Sequence, residues 1–321
     1  MVHTIIYILS IQLNRLRTQL ILCFCLACTV VQAQQDVIYS QYMNNMMNIN
    51  PAYAGNRTVH NITALYRKQW VNVEGAPTTG CLSWDYRKDE SNVGYGVQMY
   101  SDKLGVEKST GFQAFYSYHI PFEKSSFIFG ISGGVMIYRA AYLTGTDPNT
   151  GGGVDPSFRE DVNAILPVVG IGALYSAHNW YIGLSAPALL KTKIYNNDYQ
   201  VISAANNRYF LTGGYIFDVS TQLKLKPSLM FKVHNGTTLH YDVNLNAWIN
   251  NTVGFGLSYR SNDAFVGMFE LQIMPGLTLG YAYDYLTSNL KTYSKGSHEL
   301  MLRFEFENNK RSQYIQSPRY Y

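Results

Sequence analysis

Residues able to move a proton, hold a metal or cradle a phosphate are present in this chain, and their spacing decides what they could do. His298 and Glu299 supply the residue types of a general base and a general acid. They are neighbours in a stretch that alternates apolar and polar residues, so they point to opposite faces of a strand and cannot share a proton. His119, His178, His234 and His240 lie in separate segments without the spacing of metal ligands. Asp147, Asp155, Glu160 and Asp161 crowd one segment as calcium ligands would, but without the alternating register that such loops use. Gly151, Gly152 and Gly153 do not lead from a strand into a helix with a lysine, as a phosphate cradle requires, and read as a flexible loop tip. A hydrolase on this scaffold would need an inward Ser, His and acid on neighbouring strands, and no such trio aligns. No catalytic residue, no metal site and no cofactor is expected, so the chain is not read as an enzyme.

The elements that carry these residues are strands. From Leu239 to Ile249 one face holds Leu239, Tyr241, Val243, Leu245, Ala247 and Ile249, and the other holds His240, Asp242, Asn244, Asn246 and Trp248. This alternation marks a strand with one apolar and one polar face. It recurs where Leu277, Leu279, Tyr281, Tyr283 and Tyr285 oppose Thr278, Gly280, Ala282 and Asp284, and where Leu300, Leu302, Phe304 and Phe306 oppose Glu299, Met301, Arg303 and Glu305. Such strands read as lipid-facing outside and polar inside, the pattern of an all-β transmembrane outer-membrane barrel. Fourteen candidate antiparallel strands follow one another, near 59–68, 79–87, 93–101, 110–120, 126–139, 166–176, 179–187, 208–218, 222–233, 238–250, 252–260, 264–273, 276–286 and 297–306. A strand of about ten residues at roughly 3.3 Å each, tilted near 40°, spans about 25 Å, the height of an outer-membrane apolar band.

Connection lengths test this reading independently, because such barrels have short periplasmic turns and longer external loops. The second, fourth, sixth, eighth, tenth and twelfth connections are expected to be tight. The first, third, fifth, seventh and thirteenth are expected to be longer, with both termini on the periplasmic side. Inward Lys224, Lys226, Lys232, Asp242, Arg260, Asp284, Arg303 and Glu305 are expected to pair across the lumen, since charges there need partners or water. Pro227 removes a ladder donor within a strand and marks a bulge or a strand entry.

Composition agrees. Charged residues are 14% of the chain, where soluble domains carry roughly 25%. Aromatics are another 14%, with 27 Tyr, and many stand near strand ends as an interfacial girdle requires. Arg15 and Arg17 precede an apolar run from Leu20 to Cys28, and Val31, Gln32 and Ala33 have the spacing of a signal-peptidase site cut after Ala33. The chain thus divides into a signal peptide over 1–33, a periplasmic or lumenal N-terminal segment over 34–58, a β-barrel over 59–306 and a periplasmic C-terminal tail over 307–321. A lipoprotein cleavage before Cys28 is the alternative, with Cys25 where that motif prefers Leu. Signal removal takes away Arg15 and Arg17 and no acids, so the formal net charge falls from +4 to +2, too little to argue for nucleic acid. It leaves Cys81 alone, which excludes an internal disulfide.

Several stretches resemble the PorP/SprF family, outer-membrane proteins of the type IX secretion and gliding motility apparatus of Bacteroidetes. The resemblance runs from about Gln34 to Phe306. It is carried by Gln41-Tyr42-Met43 with Asn50-Pro51-Ala52-Tyr53-Ala54-Gly55, by Arg67-Lys68-Gln69-Trp70 with Gly75-Ala76-Pro77-Thr78-Thr79, by Lys224 to Ser228, by Gly256 to Arg260, by Gly280 to Tyr285 and by Gly296 to Glu299. It implies a non-catalytic component of the machinery for protein secretion, supporting export or surface attachment of a cognate secreted adhesin. The partners implied are periplasmic ring and peptidoglycan-linked components, a secreted adhesin with a C-terminal sorting domain, and outer-membrane lipid. Asn50, Pro51, Tyr53, Gly55, Arg67, Gln69, Trp70 and Pro77 are the family-motif candidates for partner binding. A passive, porin-like diffusion channel is the competing function, because the lumen is charged.

Overall fold

The computed structural model describes residues 39–88, 91–141, 161–190, 192–196, 200–205, 207–234 and 239–306, all within one compact unit. The expected signal peptide and its cut after Ala33, the tail 307–321, the triple-glycine tip and three of the four clustered acids lie outside these residues.

Alternating sequence becomes ladder. The strands are β1 (His60–Lys68), β2 (Thr78–Arg87), β3 (Val93–Leu104), β4 (Glu107–Pro121), β5 (Ser125–Ala140), β6 (Val162–Ala177) and β7 (Trp180–Ala188), a hairpin of β8 (Thr192–Asn196) and β9 (Gln200–Ala205), then β10 (Arg208–Tyr215), β11 (Phe217–Asp218), β12 (Leu223–His234), β13 (His240–Ile249), β14 (Val253–Arg260), β15 (Ala264–Met274), β16 (Leu277–Leu286) and β17 (Ser297–Phe306). All pairings are antiparallel. β10 pairs both β7 and β12, and β1 pairs β17, so the sheet closes as a fourteen-stranded barrel, with β8 and β9 standing apart and β11 continuing β10 along β12. Closure removes the free sheet edges that lipid could not satisfy. Among the described residues no helix is long and apolar enough to cross a membrane.

The period-two pattern decides which face meets what. Glu299, Met301, Arg303 and Glu305 of β17 are buried in the lumen, while Leu300, Leu302 and Phe304 are exposed at 50%, 46% and 43%. Asp242, Asn244, Asn246 and Trp248 of β13 are buried in the same way, and Val243, Leu245 and Ile249 face out. Pro227 pairs in register with Leu245. On its other edge it falls between Leu225, opposite Phe217, and Ser228, opposite Gly214, where β10 breaks before β11, so its missing N–H costs a bond where the ladder is already interrupted.

One expectation about the ends of the barrel is corrected. The third connection is not long: Gly105 and Val106 form a two-residue turn, and the ladder runs on through Leu104 and Glu107. Residues 101–110 are polar because both faces of this extension stand above the apolar band, so the alternation fades while backbone pairing continues. Both barrel termini lie at one rim, as expected, and the residues before β1 add a crossing of the lumen. β1 starts and β17 stops at the rim of tight turns, but Ser40 bonds Asp284 and Glu299 at the opposite, loop-bearing rim. The segment before β1 therefore crosses the barrel from one rim to the other.

Candidate functional site: a segment threaded through the lumen

Residues 39–57 contain too many Asn and Met for a strand and no helical repeat, and fold into three short 3-10 turns, Tyr42–Asn44, Met46–Asn48 and Pro51–Tyr53. The last is set locally. Asn50 is extended at the N-cap, its Oδ1 accepts from the Ala52 N–H at 2.9 Å, and Pro51 occupies the first position of the turn, where no donor is needed.

The turns are held by the wall rather than by each other. At the loop-bearing rim the Ser40 and Gln41 N–H groups donate to Glu299 at 2.6 and 2.8 Å, and the Ser40 hydroxyl donates to Asp284 at 2.7 Å. Midway, the Asn244 amide donates to the Tyr42 hydroxyl at 2.7 Å, Asn44 donates to Glu270 at 2.7 Å and accepts from Arg303 at 2.9 Å, and Asn45 donates to Ser83 at 2.9 Å. Further on, Ser185 donates to the Ile49 carbonyl at 2.8 Å and Ser117 to the Ala54 carbonyl at 2.6 Å. Arg57 closes the segment with a 3.0 Å ion pair to Glu305 at the tight-turn rim. Tyr42, Met43, Met46, Ile49 and Tyr53 share one apolar cluster with Ile128, Leu174, Phe210, Met230 and Met301 of the wall.

Glycines of the wall admit the backbone. A Cβ on Gly130 would strike the Pro51–Ala52 peptide, and one on Gly172 would strike the Asn50 side-chain oxygen. Gly172→Val is expected to destabilise the barrel by about 1–3 kcal/mol through overpacking, or to expel the segment. A guanidinium midpoint equal to that of the native chain would contradict this contact.

The family-motif candidates separate into two groups. Asn50, Pro51, Tyr53, Gly55 and Arg67 are buried in the lumen. Tyr53 packs edge-on to Tyr181 at 6.3 Å, and Gly55, at φ +64°, donates its N–H to Asp85 at 3.2 Å. Arg67 is 1% exposed and bridges Asp284 at 2.7 Å and Glu299 at 3.2 Å, so the residue that anchors Ser40 from β1 also joins β16 to β17. Gln69, Trp70 and Pro77 instead sit at the loop-bearing rim. The Gln69 N–H donates to the Pro77 carbonyl at 2.9 Å, and Trp70 adopts φ +45°, an outlier for a bulky residue, with its N–H on Ser297 at 3.2 Å.

Of the charges expected to pair across the lumen, Arg260 pairs Asp242 and Asp284, both at 3.4 Å, and Arg303 stands 3.9 Å from Glu305. Lys226 instead stands over the Tyr181 ring at 5.2 Å, and Lys224 pairs Asp218 at an exposed rim. Glu299 and Ser40, central to the anchor, were not among the candidates. Glu299 was readable as an inward acid at the strand start, but no local signal ties it to residues 40 and 41. Among the described residues no His, Cys, Asp and Glu group could hold a metal.

Solved structures of similar shape are outer-membrane barrels. The Ralstonia pickettii toluene transporter TbuX is 10% identical with a TM-score of 0.51, covering 82% of this chain and 93% of its own. The Acinetobacter baumannii outer membrane protein Omp33 is 10% identical at 0.49, covering 78% and 100%, and a KdgM porin is 10% identical at 0.37, covering 77% and 99%. At such identity the likeness speaks to the fold alone. No curated protein matches the chain. The family model described as type IX secretion system membrane protein PorP/SprF matches residues 31–304, a span that holds the threaded segment, its anchor on Arg67 and nearly all of the wall. The chain belongs to the PorP/SprF family of type IX secretion system membrane proteins and is a barrel of the outer membrane.

Proposed function

We propose that this barrel is a non-catalytic, closed scaffold of the secretion machinery, supporting export or surface attachment of one secreted adhesin through its loop-bearing rim. The observation that carries the reading is the threaded segment: a lumen crossed by residues 39–57 and bonded to the wall from rim to rim is poorly suited to diffusion. Gln69 and Trp70, both part-exposed, are the motif residues a partner at that rim would meet first, with the buried Pro77 behind them. The buried motif residues would act by keeping the rim in shape, and periplasmic ring and peptidoglycan-linked components would meet the tight-turn rim.

Deleting the gene is expected to strand the cognate adhesin inside the cell, read by surface immunolabelling against total adhesin. Undiminished surface display in the deletion strain would contradict the role. The channel reading predicts stable open current from the purified full chain in a planar bilayer, whereas the scaffold reading predicts silence.

A further inference from the structure

Strand alternation assigns each barrel residue to the lumen or to the outside, and the outside is almost free of charge. Among the described strands of the barrel sheet, the formal charges that take outward places are Lys68, Lys103, Lys108 and Arg139, with no outward Asp or Glu. The four are exposed, and none forms an ion pair among the described residues. The register places them in one row. Lys68 is opposite Thr78, Thr78 opposite Lys103, Lys103 opposite Lys108, Lys108 opposite Arg139, and Arg139 opposite Asn163. Adjacent strands are about 4.8 Å apart, so Lys103, Lys108 and Arg139 present three positive charges across about 10 Å.

Like charges directly opposite across a ladder repel, and an arc of them is a cost unless an anion lies over it. The acids within these strands do not serve: Asp102 and Glu107 alternate to the inner face, and Asp102 accepts from Thr79 at 2.6 Å. Glu74 belongs to the first connection, beyond the strands.

The level of the row identifies what lies over it. Four residues nearer the middle of the same strands, the outward positions are Met99, Phe112 and Val135, exposed at 53%, 52% and 45%. Four residues span about 13 Å of strand, or about 10 Å along the axis after tilt, so the cations sit just above the apolar band at headgroup depth. There an outward Lys or Arg costs far less than at the midplane. The tight-turn rim of the same strands is different: Tyr86, Tyr95, Tyr118 and Phe127 hold the outward places, with no formal charge.

We propose that Lys103, Lys108 and Arg139, extended by Lys68, form a binding site for a phosphate-bearing lipid of the leaflet at the loop-bearing rim, with the acyl chains lying on Met99, Phe112 and Val135. A phosphorylated glycolipid suits it best, because one phosphate fits between Lys103, Lys108 and Arg139 and a second reaches Lys68, with Thr78 and Asn163 beside them as hydrogen-bonding neighbours. Arginine offers bidentate donors to such a phosphate and lysine a point charge.

The test uses the purified full chain in neutral detergent, with binding of fluorescent diphosphoryl lipid A followed by titration. Lys103→Gln/Lys108→Gln/Arg139→Gln is expected to weaken binding about a hundredfold, as removal of three interfacial charges implies. Lys291→Gln/Lys295→Gln, which removes two exposed cations from the thirteenth connection, is expected to leave binding unchanged. Lys108→Gln alone should lose several-fold and covers the case in which the triple variant fails to show the heat-modifiable gel migration of a folded barrel. Equal binding by the folded triple variant, equal binding of dephosphorylated lipid A, or an equal loss in the Lys291/Lys295 variant would each overturn the site. Displacement of the lipid by equimolar inorganic phosphate would assign the row to free phosphate and overturn the lipid reading.

Discussion

A chain lacking residues 39–57 is expected to insert as a barrel and to conduct, rising from silence to stable current steps at least about tenfold above leak, as a wide polar lumen without filling should. The wall that would be uncovered is hydrophilic enough to hold water: Glu270, Asp242, Asn244, Asn246, Arg303 and Glu305 all face inward. The ladder between strands does not use the deleted residues, so fourteen strands still close through β1 with β17 and β10 with β12. Planar-bilayer recordings on native and shortened chains decide this, with heat-modifiable gel migration confirming the barrel. Silence from a folded, shortened barrel would mean that something other than the threaded segment closes the lumen.

Arg67→Met is expected to cost about 3–5 kcal/mol, the typical result of removing one partner from a buried ion pair, since Asp284 and Glu299 would keep their charges with a single arginine nearby. The loss should fall first on the anchor of Ser40 and Gln41. Cys81 reports it. It lies in the wall beneath the segment, 6% exposed, with its sulfur 4.0 Å from the side chains of Asn45 and Asn48, and no other cysteine follows residue 28. Maleimide labelling of Cys81 should accelerate on the order of a hundredfold or more if the whole loss appears as release of the segment. An unchanged labelling rate with a lowered unfolding midpoint would place Arg67 in the barrel seam alone.

The wall was legible in the sequence because a barrel strand writes its two solvents into alternate residues. Val243, Leu245 and Ile249 against Asp242, Asn244 and Asn246 needed no partner to be understood, and the fourteen expected strands are the fourteen that close. That signal ends where lipid ends. Residues 101–110 continue the ladder of β3 and β4 without alternating, and a reading based on alternation turns them into a loop. The threaded segment was opaque for another reason. Its conformation depends on contacts such as Ser40 with Glu299 and Arg57 with Glu305, each about two hundred and fifty residues away in the chain. Its motif was visible, but a motif whose partners are that remote does not say whether it faces inward or outward. Arg67 is the easier case: it shares the face of Leu65 by alternation, and both are buried in the lumen.

The closing pair of strands, β1 and β17, is also the pair that Ser40, Gln41 and Arg57 bond at either end of the lumen. If the first and last strands pair last during biogenesis, the ladder that then forms is the one against which the N-terminal chain lies. In the simplest order of events the chain is laid across the nascent, still open sheet, and the final hydrogen bonds then lock it in place like a thread caught in a clasp. Insertion and plugging become a single act, and a leaky intermediate never has to exist.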